Sequence, residues 1–324
     1  MTPDFKIIAA GVNITAQIKD RLLSLVVSDE AGMKSDQVEI TLDDRGSAIE
    51  LPAPGALLAV FMGYKESVLV PMGLFTADEI CVSGPPETMV IRGKAAALGG
   101  ELKDQKTRSW DDKTIGQIVA VIAREHKLTP KVSSDLAGVK IEHADQTEES
   151  DLHFLMRLAE EHDAIASVKG QTLLFIDKGE GKTASGLAMI PQQVSRKGCL
   201  RWSATLATRG EFASVEACWH DKATGSRARV CSGSGSPVRK LRHIFPGEAE
   251  AQRAADGELR RCKRGNTSLS IGLVGSPLMA AEGRLLATGF RPGVDGLWSI
   301  KSVRHQISSG GFVTEVEAEA PNSE

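Results

Sequence analysis

The sequence predicts a mainly β protein with an α+β middle: two similar antiparallel β-barrel domains flanking, or packed with, a smaller α+β domain. Three observations predict it. Short β-branched or alternating runs fill roughly the first hundred residues. The hydrophobic period then lengthens to that of a helix, and strand patterns return from near Leu200.

In chain order, FKIIAAGVNIT, LLSLVVSDE, DQVEITLDD, ALLAVFMGY, GLFTADEICVS and TMVIRGKAA each have strand length, and Gly, Pro and Asp separate them. That punctuation suits an antiparallel sandwich or barrel. Pro85-Pro86 after Gly84 ends one strand and turns the chain into the next. In DDKTIGQIVAVIAREHKLTP the apolar residues Ile115, Ile118, Val119, Ile122 and Ala123 share one helical face. Thr114 or the two aspartates before it supply the cap, and Pro130 lies past the end. TEESDLHFLMRLAEEHDA is a second helix, and QTLLFID after it a strand.

Further on, FASVEACWHD, RARVCSG, TSLSIGLVG, RLLATGF, LWSIKSVRHQIS and FVTEVEAEA read as strands. GEAEAQRAADGELRRCKRG reads as a helix, with Glu early and Arg and Lys late, as the helix dipole favours. The Ser/Gly stretch from Ser232 to Pro237 reads as a loop or linker. The expected domains are an N-terminal β-barrel over 1–104, an α+β domain over 105–195, and a C-terminal β-barrel-like domain over 196–324 with one inserted helix at about 247–264.

Composition narrows the function. Hydrophobic content of 41% and charged content of 25% are those of a globular chain, and a net charge of −3 opposes nonspecific binding of the whole surface to a polyanion. No apolar run approaches the roughly 18 residues a membrane span needs, and the N-terminus lacks the pattern of a signal peptide. Stable membrane association is therefore not expected. Five widely spaced cysteines without a C-x-x-C pair give neither a disulfide framework nor a zinc knuckle, and point to buried or half-buried reduced thiols.

Thr147–Ala164 gathers carboxylates and imidazoles at the density of an active centre. Its geometry argues otherwise. With Ser150 as N-cap and Asp151 at the positive end of the helix, Leu152, Leu155, Leu158 and Ala159 form the buried face. His153 and His162 are nine residues apart, which places them on opposite sides of the helix. No H-E-x-x-H pair exists, and Glu160, Glu161, His162 and Asp163 read as solvated. No catalytic residue, metal ligand or cofactor site is expected.

Other candidates fall similarly. LLFIDKGEGKT sets Gly-Lys-Thr after a strand, yet Ile176 stands where a phosphate-binding loop begins with glycine, and no helical period follows. A hairpin loop is the better reading. The basic residues Arg239, Lys240, Arg242, Arg260, Arg261, Lys263 and Arg264 read as a solvated helix end and its surroundings rather than a nucleic-acid patch. No serine sits in G-x-S-x-G.

The two strand-rich ends echo each other. Each runs G-x-L-L-A, then Gly-Leu-aromatic opening a strand, then Ser-Gly at a turn, then Thr-x-Val. Gly73-Leu74-Phe75 answers Gly296-Leu297-Trp298, and Thr88 and Val90 answer Thr314 and Val316. Two such units per chain let three chains present a ring of six.

HADQTEESDLHFLMRLAEEHDAIASVKGQTLLFID resembles the Q-x-x-E-S-D-x-x-F-L-x-R-L-A-E signature of the phage late control D family, which is shared with type VI secretion spike proteins. Glu149, Ser150, Asp151, Phe154, Leu155, Arg157, Leu158, Ala159 and Glu160 carry it, as a structural motif. The similarity extends over most of 105–324. Asp163 departs from it, since relatives more often have Gly there, at a turn. The resemblance implies a baseplate hub of a contractile phage tail: a homotrimeric ring joining the sixfold tail tube to a separate trimeric spike. Its partners would be itself, the spike, and tail-tube and baseplate proteins, with DNA only as passing cargo in the lumen. It would be assembled in the bacterial host cytoplasm. The alternatives from other classes are a tail-associated peptidoglycan hydrolase, suggested by paired acids, and a DNA-binding late-gene regulator, suggested by the basic helix.

Overall fold

The computed structural model describes all residues except 33–34, 54, 97–99, 170, 179–189, 207–211, 222–223, 265–266 and 321–324. The hairpin-loop reading of the Gly-Lys-Thr segment lies outside the described residues.

The first β unit comprises β1 (Pro3–Ala9), β2 (Val12–Asn13), a one-turn helix α1 (Thr15–Ile18), β3 (Leu22–Glu30), β4 (Gln37–Asp43), β5 (Leu57–Tyr64), β6 (Val70–Ser83) and β7 (Thr88–Ala95). The middle holds β8 (Gln105–Thr114), α2 (Ile115–Glu125), β9 (Thr129–Val132), α3 (Ser134–Ala137), β10 (Lys140–Ser150), α4 (Asp151–Glu161), β11 (Ala164–Lys169) and β12 (Thr172–Asp177). There follow β13 (Gln192–Ser195), β14 (Cys199–Thr205), β15 (Ser214–Asp221), β16 (Ser226–Gly233), β17 (Val238–Phe245), α5 (Glu248–Arg264), β18 (Ser268–Val274), β19 (Arg284–Thr288), β20 (Gly296–Ser308) and β21 (Gly311–Glu319). The protein is mainly β with antiparallel sheets.

Alternation builds the strands. In β4 the buried positions are Val38, Ile40 and Leu42, with polar residues between them. Apolar residues from both β units fill separate cores, one around Phe75, Leu25 and Ile40, the other around Trp298, Ile271 and Leu285. A single sheet of 13 strands nevertheless runs through both, in the order β14-β18-β21-β20-β3-β4-β7-β6-β5-β1-β2 with β19 and β13 branching from β20. The seam is β20 against β3, from Ser302↔Glu30 to Ser308↔Ser24.

The inserted part of the second unit is larger than a helix. Strands β15, β16 and β17 form their own sheet, and α5 packs on it through Val215, Ala217, Ala251, Ala255 and Leu259. The Ser/Gly linker is shorter than expected, since Ser232 and Gly233 belong to β16. Two of the cysteines depart from the expected burial: Cys81 and Cys231 are exposed, Cys199 and Cys218 half-buried, and Cys262 buried. All five are free thiols.

The internal echo is real, but its outer parts are shifted by one residue. The two units match pair by pair. Phe75 opposes Leu58 as Trp298 opposes Leu285, and Gly73, inside β6 rather than at its start as expected, and Gly296, the first residue of β20, have φ of +141° and +138°. Ile80↔Ile91 matches Val303↔Val316, Ile40↔Ile91 matches Ile271↔Val316, and Leu25↔Ile40 matches Trp202↔Ile271. The bulges coincide too: Ala77/Glu79 with Ile300/Ser302, and Leu22/Ser24 with Cys199/Arg201. Met89 and Ile91, not Thr88 and Val90, are thus the counterparts of Thr314 and Val316. A slip of one exchanges the two faces of a strand, and side-chain burial decides the register. The departure is at the far edge, where β1 runs antiparallel to β5 but β13 parallel to β19.

Candidate functional site

Two features stand out: a charged cluster under the motif helix, and a polar face crossing the large sheet from β14 to β6.

The motif helix α4 starts where expected. Ser150 Oγ accepts from the backbone N–H of His153 at 3.2 Å. The buried face differs from the expectation, with Phe154 joining Leu155, Leu158 and Ala159 while Leu152 is only half-buried. Asp151 does more than complement the helix dipole: it is fully buried. Lys106 Nζ donates to it at 2.6 Å, Arg108 Nη2 at 2.5 Å and Gln146 Nε2 at 2.8 Å, and His126 Nε2 lies 2.7 Å away. Burial would raise the Asp151 carboxyl, but the hydrogen bonds from Lys106, Gln146 and His126 and the charge of Arg108 outweigh it and lower it to about 2. Lys106 and Arg108 reach on to Glu125 at 2.8 and 2.7 Å.

The rest of the motif surrounds this cluster. Gln146, the motif's first residue, is buried and bridges Arg108, Asp151 and the Glu149 carbonyl. Glu149 accepts from Arg157 at 2.8 Å, and the same guanidinium donates to the Asp145 carbonyl at 2.7 Å. Glu160 is exposed. The motif therefore locks α4 onto the ribbon of β8 and β10.

Glu125, His126 and Asp151 have ligand-type atoms within 4.8 Å of one another, the sole such grouping among the described residues. Two cationic side chains already bond both carboxylates, so a metal ion there would face Lys106 and Arg108 directly. The donor set does not suit one. Sequence reasoning missed the cluster because its members come from separate segments; Lys106 and Arg108, two apart on β8, were the available signal.

The acidic end of α4 is not uniformly solvated. Asp163 is buried, adopts a positive φ of 50° in the turn after α4, a backbone that favours Gly, and bonds Arg260 of α5 at 3.2 Å. His162 lies largely shielded, and burial lowers its pKa to about 4. His153 is exposed. A cavity of about 710 Å³ lies between the α+β unit and the insertion, with His143, His162, His220 and His243 on its walls. Several of the basic residues pair with acids: Arg239 with Glu258 at 2.7 Å, Arg261 with Glu258 at 2.9 Å and Arg260 with Asp163.

The second feature follows from the registers. One transverse row reads Arg201, Gly272, Glu315, Arg304, Ser28, Gln37, Lys94 and Thr76, each paired with the next across β14, β18, β21, β20, β3, β4, β7 and β6. The neighbouring rows hold Glu39 and Arg92, paired at 2.8 Å, and Ser203, Ser270 and Glu317. Arg201 pairs with Glu315 and Lys94 with Asp78. The face is polar, mixed in sign and self-neutralising, with the hydrophobic cores behind it. Such a surface suits water and gives little grip to a polyanion.

Comparison with known proteins accords with this architecture. The chain is 33% identical over 361 residues to the probable baseplate hub protein of Escherichia phage P2, covering 98% of this chain and 93% of that one. Its fold is similar to the 43 kDa tail protein of prophage MuSo2 from Shewanella oneidensis, with a TM-score of 0.75, 14% identity and 99% of both chains covered. It is also similar to an E. coli component of the type VI secretion system, with a TM-score of 0.55, 14% identity, and coverage of 94% of this chain and 74% of that one. The family model for the phage tail baseplate hub (GPD) matches residues 86–311, and the chain belongs to that family.

Proposed function

We propose that three copies of this baseplate hub form a ring in the baseplate of a contractile phage tail, joining the sixfold tail tube to a threefold spike. The observation that carries this is the pair-by-pair repeat of the two β units, bulges included. Three chains then offer six near-equivalent units to the tube while keeping threefold symmetry for the spike. The β units of 1–104 and 196–324 build the wall, and the α+β unit of 105–195 flanks it. The polar sheet face lines the lumen, where mixed charge lets DNA pass without holding it. The hub acts by shape and not by catalysis, needs no cofactor, and is assembled with tube, spike and other baseplate proteins in the host cytoplasm before it is part of the virion tail. Among the described residues, no helix is long and apolar enough to cross a membrane.

Light scattering coupled to size-exclusion chromatography tests this, on the chain alone and with the spike protein of the same phage. A trimer, or a monomer that becomes a 3:3 complex with the spike, is expected. A monomer indifferent to the spike would overturn the proposal.

A further inference from the structure

Within one chain, β20 leaves β19 after its bulge and pairs with β3. By the same repeat, β6 leaves β5 after its bulge, yet its segment Glu79–Ser83 finds no strand on that side among the described residues. The equivalence extends to single hydrogen bonds at the departure point. Gly55 N–H donates to Ala77 O as Glu282 N–H donates to Ile300 O, and Ala77 N–H donates to Ala56 O as Ile300 N–H donates to Gly283 O. The counterpart of β3 is β14, which among the described residues pairs with β18 alone and ends the sheet. One chain thus carries one used seam and the two halves of an unused one.

We propose that the unused halves meet between copies: Glu79–Ser83 of β6 in one chain pairs antiparallel with the free edge of β14 in the next. This rests on the trimeric reading above and names its contact. Transferring the β20·β3 register through the matched positions sets Ile80 opposite Leu206, Cys81 opposite Thr205, Val82 opposite Ala204 and Ser83 opposite Ser203.

Two properties of these edges point to a second copy as the occupant. Positions whose twins are covered at the internal seam stand open here: Val82 is 60% exposed where His305 is 2%, and Leu206 is 52% exposed where Asp29 is half-buried. Natural edge strands that stay single are blunted by charge or proline. Ile80-Cys81-Val82-Ser83 and Ser203-Ala204-Thr205-Leu206 contain neither. The contact is head-to-tail, so it propagates until a ring closes. It would make the polar face continuous around the lumen.

The test uses the native Cys81. In the full chain carrying Thr205→Cys, the two thiols would sit on facing residues of an antiparallel pair, which lie within disulfide range. Mild oxidation is expected to give covalent dimers and trimers and nothing larger on non-reducing gels, with the peptide joining Cys81 to the introduced thiol identified by mass spectrometry. Ala204→Cys, which points to the other face, should link at least tenfold less, and adding Cys81→Ser should abolish the link. Masses of the unoxidised proteins are measured in parallel, with the spike if it is needed for assembly. A trimer in which Cys81 does not link to the introduced thiol would overturn the edge pairing and leave the trimeric reading standing. Links that stop at two chains or continue past three would overturn ring closure through these edges. A monomer under every condition would overturn both.

Discussion

Replacing Asp151 by Asn tests whether the buried carboxylate holds the α+β unit together. Folding takes its pKa from 3.8 to about 2, and at about 1.4 kcal/mol per unit this is an upper bound of about 2 to 3 kcal/mol. Lys106 and Arg108 keep 30% and 23% of their side chains exposed, and solvent screening there trims the ionic part to about 2 kcal/mol. The Asn amide also turns donors toward cationic donors, so the total cost is about 2 to 4 kcal/mol at neutral pH. The sign with pH follows from a depressed carboxyl. The contribution is complete above the unfolded pKa and is lost as pH falls toward the folded one. About half should be gone by about pH 3. Hydrogen exchange read by mass spectrometry on peptides from α2, β10 and α4 reports this unit separately from the β units. A wild-type to Asp151→Asn difference below about 1 kcal/mol, or equal at pH 7 and about pH 3, would refute the reasoning.

Three further outcomes are expected. Thr114 and Gln117 close both halves of a capping box on α2, so Thr114→Ala should cost about 1 kcal/mol, read as faster exchange in that helix, with Thr114→Ser near neutral. Lys169 Nζ lies 2.5 Å from Asp29 and 2.8 Å from Asp36, where the α+β unit meets the first β unit. Lys169→Met should destabilise by about 3 kcal/mol at neutral pH. Burial raises the Asp36 and Glu282 carboxyls, so they take up protons first and the penalty should shrink toward about pH 4, as thermal melts at the two pH values would show. A Cβ on Gly275 would run into the Phe312 ring, and the Gly275 carbonyl accepts from Tyr64 Oη at 2.8 Å. Gly275→Ala should therefore cost roughly 1–3 kcal/mol, and Tyr64→Phe about 1 kcal/mol, measured by denaturant unfolding.

Much of this was legible in the chain. The caps at Thr114 and Ser150 show, because a polar residue before a helical apolar period has one common use. Gly73 and Gly296 show, since each must adopt a φ that other residues resist. Strands β8 and β10 do not show. Their buried residues are few, among them Trp110, Ile141, Gln146 and Ser150, so no period of two emerges. Strand β17, VRKLRHIF, looks like a basic patch, but Arg239 is half-buried against Glu258 of α5 and Lys240 pairs with Glu216. The Asp151 cluster and the β20·β3 seam depend on partners tens to hundreds of residues apart, and no local pattern encodes which distant strand or cation will arrive.

The insertion between β14 and β18 has a consequence for how such a hub can change over time. Thr205 and Ser268, the residues on either side of it, face each other in the sheet. The excursion leaves and returns through a doorway one strand pair wide, and it carries its own core. Lengthening a closed loop adds free energy only with the logarithm of its length, about 0.6 kcal/mol per doubling. The wall is therefore nearly blind to what hangs there. A lineage could enlarge, replace or lose this appendage without re-registering one strand, and a laboratory could splice a reporter domain into the same socket. Among the described residues, the Arg260–Asp163 tether and the hydrogen bond from Arg253 to the Lys140 carbonyl would register the exchange.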